Sequence, residues 1–261
     1  MHPVIIPVDF SETSLNAARF AAKMLAWKDE ITAVLYHNYE SENDHDISLF
    51  YLESLKKEFY KAGVRKVDCE YEMGGDLIEN ISRLAHTIRA TLVLMGITGK
   101  SAVRQVLFGS NTLKLVDKNL YPVMIIPPDA LYKGISKIAF ATDFKNVELS
   151  TPSQLIGSVL RLFAPKLHIV HVDKEAARTI SPAMEEGKAK IDLLFSAFEK
   201  EFFFISGDDF YESLDRFVQE QDIDVLVTVP KHPSNSASLF RSSHTKKLAY
   251  HSHIPILAAH Q

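Results

Sequence analysis

The chain has 261 residues, 46% of them hydrophobic and 24% charged, which is the balance of a soluble globular protein. Residues 1–130 hold 14 Lys and Arg against 17 Asp and Glu, and residues 131–261 hold 15 against 16, so neither half has the basic excess that a nucleic-acid backbone demands. Cys69 is the only cysteine, which excludes an internal disulfide and a Cys-rich metal site, and no apolar stretch approaches the roughly 20 residues of a membrane span. Asp9, Glu12 and Arg19 interrupt the N-terminal apolar run, so no signal peptide is expected and a reducing, cytoplasmic setting fits the composition.

The chain opens with a short apolar run, residues 4–8, which predicts a buried strand. Ser11 and Glu12 then open a helix with Leu15, Ala18, Ala22 and Leu25 on one face. Residues 31–37 are a second strand, and residues 47–62 a long amphipathic helix stopped by Gly63. A third strand over 67–71 leads to a helix over 77–89, capped by Asp76. Strands over 92–95 and 123–126 complete the half. Strands that alternate with helices imply a parallel sheet covered on both faces, and five strands in about 130 residues suit a flavodoxin-sized doubly wound domain.

The pattern then repeats. Val4-Ile5-Ile6-Pro7-Val8-Asp9-Phe10 returns as Ile138-Ala139-Phe140-Ala141-Thr142-Asp143-Phe144, with the aspartate displaced by 134 positions. His37, at the end of the second strand, returns as His171 at the same offset. Gly75-Asp76 returns as Gly207-Asp208, offset by 132, and Pro122 ahead of the last strand returns as Pro255, offset by 133. Two domains in tandem follow, residues 1–128 and 135–261. Between them, Pro127, Pro128 and Gly134 form a short join.

One segment carries a chemical signal. After the fourth strand come Gly96, Ile97, Thr98 and Gly99, then nine residues, then Gly109 and Ser110 at the start of a helix over 111–119. Glycines let the backbone turn tightly and approach a ligand without a Cβ in the way. A serine at a helix start adds its hydroxyl and free N–H groups, the chemistry of an anion site. The loop leaves the carboxyl end of a parallel strand, where open α/β sheets bind ligands. Asp9 ends the first strand on the same edge, where a carboxylate can meet a ribose hydroxyl or a Mg²⁺ shared with phosphates, or simply cap the first helix. The spacing matches neither GxxxxGK[ST] nor GxGxxG.

Gly96-x2-Gly99-x9-Gly109-Ser110, with Asp9-Phe10-Ser11 near the start and Pro122-Val123 before the last strand, resembles the universal stress protein family. The repeat makes the chain similar to the family's tandem type, with two flavodoxin-like domains of the adenine nucleotide alpha-hydrolase-like kind. The resemblance implies that the glycine loop and its serine hold ATP phosphates, that the aspartate meets the ribose or Mg²⁺, and that backbone at the ends of strands one, two and four holds adenine. Carried across, this implicates Asp9, Met95, Gly96, Gly99, Gly109, Ser110 and Asn111, with Pro7, Asn38 and Thr98 beside them; Asp9 is the metal candidate. Asn38 departs from the apolar residue the family carries there. Paired domains of the family meet through their last strands, which implies an intramolecular pseudo-dimer and leaves room for a further homodimer.

The second half has lost the loop. Pro230-Lys231-His232-Pro233 follows its fourth strand without a glycine, and Arg241 stands where Gly109 would recur, so no ATP site of the family type is expected there. Lys231 and Arg241 could meet a different anion. His244, His251 and His253 match no zinc spacing. Cys69 lies between Asp68 and Glu70, whose charges oppose a thiolate, and Phe202, Phe203 and Phe204 read as a core strand. The expected function is a nucleotide-sensitive stress-response module that binds ATP in its first domain and an unidentified protein partner. The competing readings are a slow Mg²⁺-dependent ATPase, for which no general base stands near the loop, and a module that holds an apolar ligand or a protein instead.

Overall fold

A computed structural model describes residues 1–97, 110–118, 120–173, 181–229 and 252–259. The chain divides into two units, Met1–Tyr132 and Lys133–Gln261.

The N-terminal unit runs β1 (His2–Pro7), α1 (Glu12–Leu25), β2 (Ile31–Tyr39), α2 (His45–Ala62), β3 (Val67–Met73), α3 (Leu77–Ile88), β4 (Leu92–Gly96), α4 (Ser110–Lys118) and β5 (Val123–Ile126). Its strands lie in the order β3-β2-β1-β4-β5, and their pairings are parallel. The inner strands are apolar because helices cover both faces: Val4, Ile5, Ile6, Leu92, Val93 and Leu94 are fully buried. Helix α1 lays Ala17, Ala18, Ala21 and Ala22 against the sheet, and these small side chains bring its axis close to β4. Ser11 caps it by accepting from the Ser14 N–H. Helix α2 ends at Gly63, which adopts φ 100°; a Cβ there would lie 2.7 Å from the Trp27 ring. Asp76 caps α3, accepting from the N–H groups of Ile78 and Glu79 at 2.9 and 3.0 Å.

The C-terminal unit runs β6 (Lys137–Ala141), α5 (Val147–Ser150), α6 (Ser153–Phe163), β7 (Lys166–Asp173), α7 (Pro182–Leu194), β8 (Lys200–Ser206), α8 (Phe210–Glu220), β9 (Val225–Thr228) and β10 (Ile256–Ala258). Its order, β8-β7-β6-β9-β10, is that of the first unit with every strand advanced by five, again in parallel pairs. Two features depart from the pattern of the first unit, and a third from the sequence reading. The first helix is split in two, because Pro152 lacks an N–H and begins α6 anew. Helix α8 is capped by Asp209, not Asp208: its carboxylate accepts from Tyr211 and Glu212 at 2.7 and 3.0 Å, as Asp76 does in the first unit. Phe202, Phe203 and Phe204 are only half-buried, since β8 ends its sheet order and pairs with β7 alone.

Candidate functional site

In the N-terminal unit the chain leaves β1 toward β2 and β3 on one side, then returns to β4 and β5 on the other. The strand order reverses between β1 and β4, and at such a reversal open α/β sheets bind ligands outside the carboxyl ends of their strands. Asp9 lies two residues past β1 and Gly96 closes β4, so the two flank that reversal. Pro7 is the buried last residue of β1, and Met95 is buried in β4 at 7% exposure.

A tight turn fixes Asp9. The Val8 N–H donates to the Tyr36 carbonyl at 2.8 Å, and His37 Nδ1 lies 2.7 Å from the Val8 carbonyl. A ring nitrogen that faces a carbonyl must carry the proton, so Nδ1 is the donor. Phe10 takes φ 60°, rare for an aromatic residue, and its ring rests on His37 and Tyr51 at centroid distances of 4.6 and 5.2 Å. Asp9 Oδ1 accepts from the Ser11 N–H at 2.9 Å, so Asp9 braces the turn while Ser11 caps α1. Shielding by the surrounding protein opposes its charge, but hydrogen bonds from Ser11 and Ser14 outweigh that and hold the carboxyl below its usual range. Asp9 is therefore an exposed, ionised carboxylate at neutral pH.

Gly96 serves a neighbour rather than open space. A Cβ there would meet the Thr13 carbonyl oxygen at 2.7 Å and Thr13 Cγ2 at 2.9 Å. Its glycine character lets the first turn of α1 sit on the end of β4. The Gly96 carbonyl accepts from Thr112 Oγ1 at 2.8 Å, and Thr112 is 2% exposed. That bond ties the end of β4 to the first turn of α4, so both ends of the glycine segment are held together. The Ile97 N–H donates to the Ile126 carbonyl at 3.0 Å and keeps the departing chain in sheet register. Ser110 opens α4, and Asn111 follows it, exposed. Thr98, Gly99, Gly109 and residues 100–108 lie outside the described residues.

Asn38 sits at the carboxyl end of β2, one residue beyond His37, within a polar cluster. Its Oδ1 accepts from Asn80 Nδ2 at 2.8 Å and from the Tyr36 hydroxyl at 3.3 Å. Asn80 Nδ2 also donates to the Gly74 carbonyl at 2.9 Å. Arg83 pairs with Glu72 and reaches Asn80 Oδ1 at 3.4 Å. Burial, then the nearby Glu72 carboxylate, pushes the Tyr36 hydroxyl up to about 12. Tyr36 and Asn38 share a strand face by their spacing of two, but Asn80 is 42 residues away, a pairing no local pattern reveals. Thr13 and Thr112 likewise escape a reading built on the glycines.

The C-terminal unit repeats the turn. Phe144 takes φ 56° over His171 at 5.4 Å, and His171 Nδ1 lies 2.9 Å from the Thr142 carbonyl. Asp143 Oδ1 accepts from the Lys145 N–H at 2.9 Å, but Asp143 is 7% exposed, buried where Asp9 is open. Pro230, Lys231, Pro233, Arg241, His244 and His251 lie outside the described residues. Among the described residues no three His, Cys, Asp or Glu side chains converge as a metal-binding group, and no helix is long and apolar enough to cross a membrane.

A doubly wound parallel unit of five strands in the order β3-β2-β1-β4-β5 places the N-terminal unit among the flavodoxin-like α/β folds. Residues 1–127 match the model of the universal stress protein family, and the N-terminal unit belongs to that family. A universal stress protein from Archaeoglobus fulgidus is similar over 99% of this chain and 98% of its own, with a TM-score of 0.69 at 16% identity. A functionally unknown protein from Pseudomonas aeruginosa PAO1 is similar over 100% of this chain and 92% of its own, with a TM-score of 0.64 at 15% identity. At such identities these likenesses speak for the fold. None of the curated proteins matches the chain.

Proposed function

We propose that the N-terminal unit binds ATP at the crevice between β1 and β4, and that the protein acts as a nucleotide-sensitive interaction module in the cytoplasm. One observation carries the reading. The two ends of the glycine segment are tied by the Gly96–Thr112 bond at 2.8 Å, at the point of strand reversal and beside the ionised Asp9. In an open α/β sheet that is where a phosphate-bearing ligand finds a helix N-terminus and glycine backbone together. The residues suit Mg²⁺ only as a companion of the phosphates. Asp9 supplies one carboxylate, and Mg²⁺ in such sites takes one or two carboxylates with phosphate oxygens and water. In this reading Gly99, Gly109, Ser110 and Asn111 face the phosphates, Asp9 the ribose or Mg²⁺, and Pro7, Asn38, Met95, Gly96 and Thr98 surround the base and sugar. The two units are tandem copies, and the second is a degenerate partner without the glycine segment.

Titration calorimetry of Mg²⁺–ATP into the nucleotide-free full-length chain tests this. One site per chain is expected, abolished in Gly109→Arg and untouched by Arg241→Ala. Two sites would overturn the degenerate second unit, and no heat at all would overturn the nucleotide reading.

A further inference from the structure

We infer that Asn38 is a fixed hydrogen-bond donor aimed at the base of the bound nucleotide, and that it selects a purine with an acceptor ring nitrogen at that point. The inference rests on the nucleotide reading above and adds to it the means of base selection.

The orientation of a side-chain amide must be earned from its partners. Here the chain of partners settles it. The Gly74 carbonyl can only accept, so the Asn80 atom 2.9 Å from it is Nδ2. Arg83 can only donate, and it lies 3.4 Å from the other Asn80 atom, which is therefore Oδ1. Asn80 Nδ2 has two protons. One goes to Gly74, and the other to Asn38 at 2.8 Å, so the Asn38 atom it meets is the oxygen. The Tyr36 hydroxyl, whose one proton lies between that oxygen at 3.3 Å and Glu72 Oε2 at 3.5 Å, agrees with the same assignment. The Asn38 oxygen is thus turned into the protein, toward Asn80.

What remains is the Asn38 NH₂ group, with two protons. Among the described residues it has no acceptor within hydrogen-bond reach, yet it is not sealed among the unpaired buried atoms. Its backbone is held beside the end of β1, because the preceding residue, His37, is clamped to Val8. A rigid, donor-only group therefore stands on the same sheet edge as Asp9. It cannot turn its oxygen outward without breaking the Asn80 bond and setting one NH₂ group against another. A base that offers a ring-nitrogen acceptor there gains a bond. A base carrying a proton at that atom, as hypoxanthine does at N1, opposes donor to donor and leaves both unpaired.

The test is calorimetric titration of the full-length chain with Mg²⁺–ATP and with its 1-deaza, 3-deaza and 7-deaza analogues, each of which lacks one acceptor nitrogen. One analogue is expected to bind about tenfold more weakly than ATP. In Asn38→Asp the remaining oxygen still accepts from Asn80 and Tyr36, but the donor is gone. That variant should bind ATP about tenfold more weakly and no longer discriminate the sensitive analogue. Equal affinity of the wild type for ATP and all three analogues overturns the inference, and so does an Asn38→Asp variant that discriminates as the wild type does. Both results leave ATP binding itself standing, whereas no ATP binding by the wild type sinks the nucleotide reading beneath it. If the variant fails to fold, equal wild-type affinity for ATP and all three analogues still overturns the inference.

Discussion

Substituting Gly96 by alanine separates two explanations of the same glycine. If Gly96 exists to let a ligand approach, Gly96→Ala leaves the nucleotide-free protein unharmed and costs affinity alone. The geometry says otherwise. The new methyl would sit 2.7 Å from the Thr13 carbonyl oxygen, 2.9 Å from Thr13 Cγ2 and 3.2 Å from the Thr13 carbonyl carbon. Two of these three atoms are backbone, so no rotamer change relieves the clash, and α1 must shift away from β4. Overpacking of this kind costs about 1–3 kcal/mol. Taking about 2 kcal/mol and a unit of this size, the midpoint of thermal unfolding falls by roughly 6–10 °C. The assay is direct, since Trp27 is the only tryptophan and lies in the N-terminal unit, so its fluorescence follows that unit. Urea unfolding without nucleotide should show the loss. Thr13→Ser in the same background should restore less than half of it, because it removes Cγ2 but not the carbonyl. A Gly96→Ala protein as stable as the wild type would refute the packing argument and return the glycine to the ligand.

Other substitutions follow from single contacts. His168 is 3% exposed with both ring nitrogens unpartnered, packed on Phe203 at 4.9 Å, and burial first, then Lys166 and Lys137, against an opposing Glu201, lowers its proton affinity. A base that is harder to protonate when folded contributes stability above its unfolded pKa of about 6.5 and loses it as pH falls through that value, so the C-terminal unit should weaken between pH 7 and 5. His168→Val, which copies Val34 at the matching position of β2, should remove that pH dependence and add about 1 kcal/mol near neutrality in urea titrations; an unchanged pH profile would count against it. Asp76→Ala and Asp209→Ala should each cost about 1 kcal/mol by urea unfolding, while Asp208→Ala costs less than half as much; equal losses at 208 and 209 would contradict the observed cap. The Cys69 thiol is pushed up to about 11 by burial, with Lys56 opposing and Glu53, Asp68 and Glu70 reinforcing, so its alkylation by iodoacetamide should be slow at pH 8 and still rising at pH 10.

Local chemistry told most of the fold. The apolar runs, Ser11, Gly63 and Asp76 each act within a few residues of themselves, so strands, caps and stops could be read where they stand. The repeat offset went astray at one anchor for a related reason. Gly207-Asp208 looks like Gly75-Asp76 in letters, but the cap is chosen by backbone geometry, and Asp209 holds the helix start. The left-handed helix ends at Arg89 and Asp222, with φ 54° and 51°, are separated by the same 133 positions as the two caps. The split between α5 and α6 falls at Pro152, whose missing N–H is plain in the sequence. Hidden from the sequence were contacts between segments far apart in the chain. Thr13 explains Gly96 only once α1 lies on β4, and the Asn38 amide is oriented only once α3 brings Asn80 to its oxygen.

The two units together say what the Asp-Phe turn is for. Each has an aromatic residue at φ near 60°, a histidine whose Nδ1 bonds the carbonyl two residues before it, and an aspartate that accepts from the N–H two residues on. Yet only the first unit has the glycine segment. A device present in both units, with and without that segment, is a requirement of the strand-to-helix turn, because the clamp by histidine holds a strained aromatic residue that would otherwise relax. Asp9 and Phe10 are therefore weak evidence for a ligand on their own. What separates the units is exposure: Asp9 is open to solvent, whereas Asp143 is 7% exposed. The weight of a nucleotide reading thus falls on the open carboxylate together with the segment between Gly96 and Thr112.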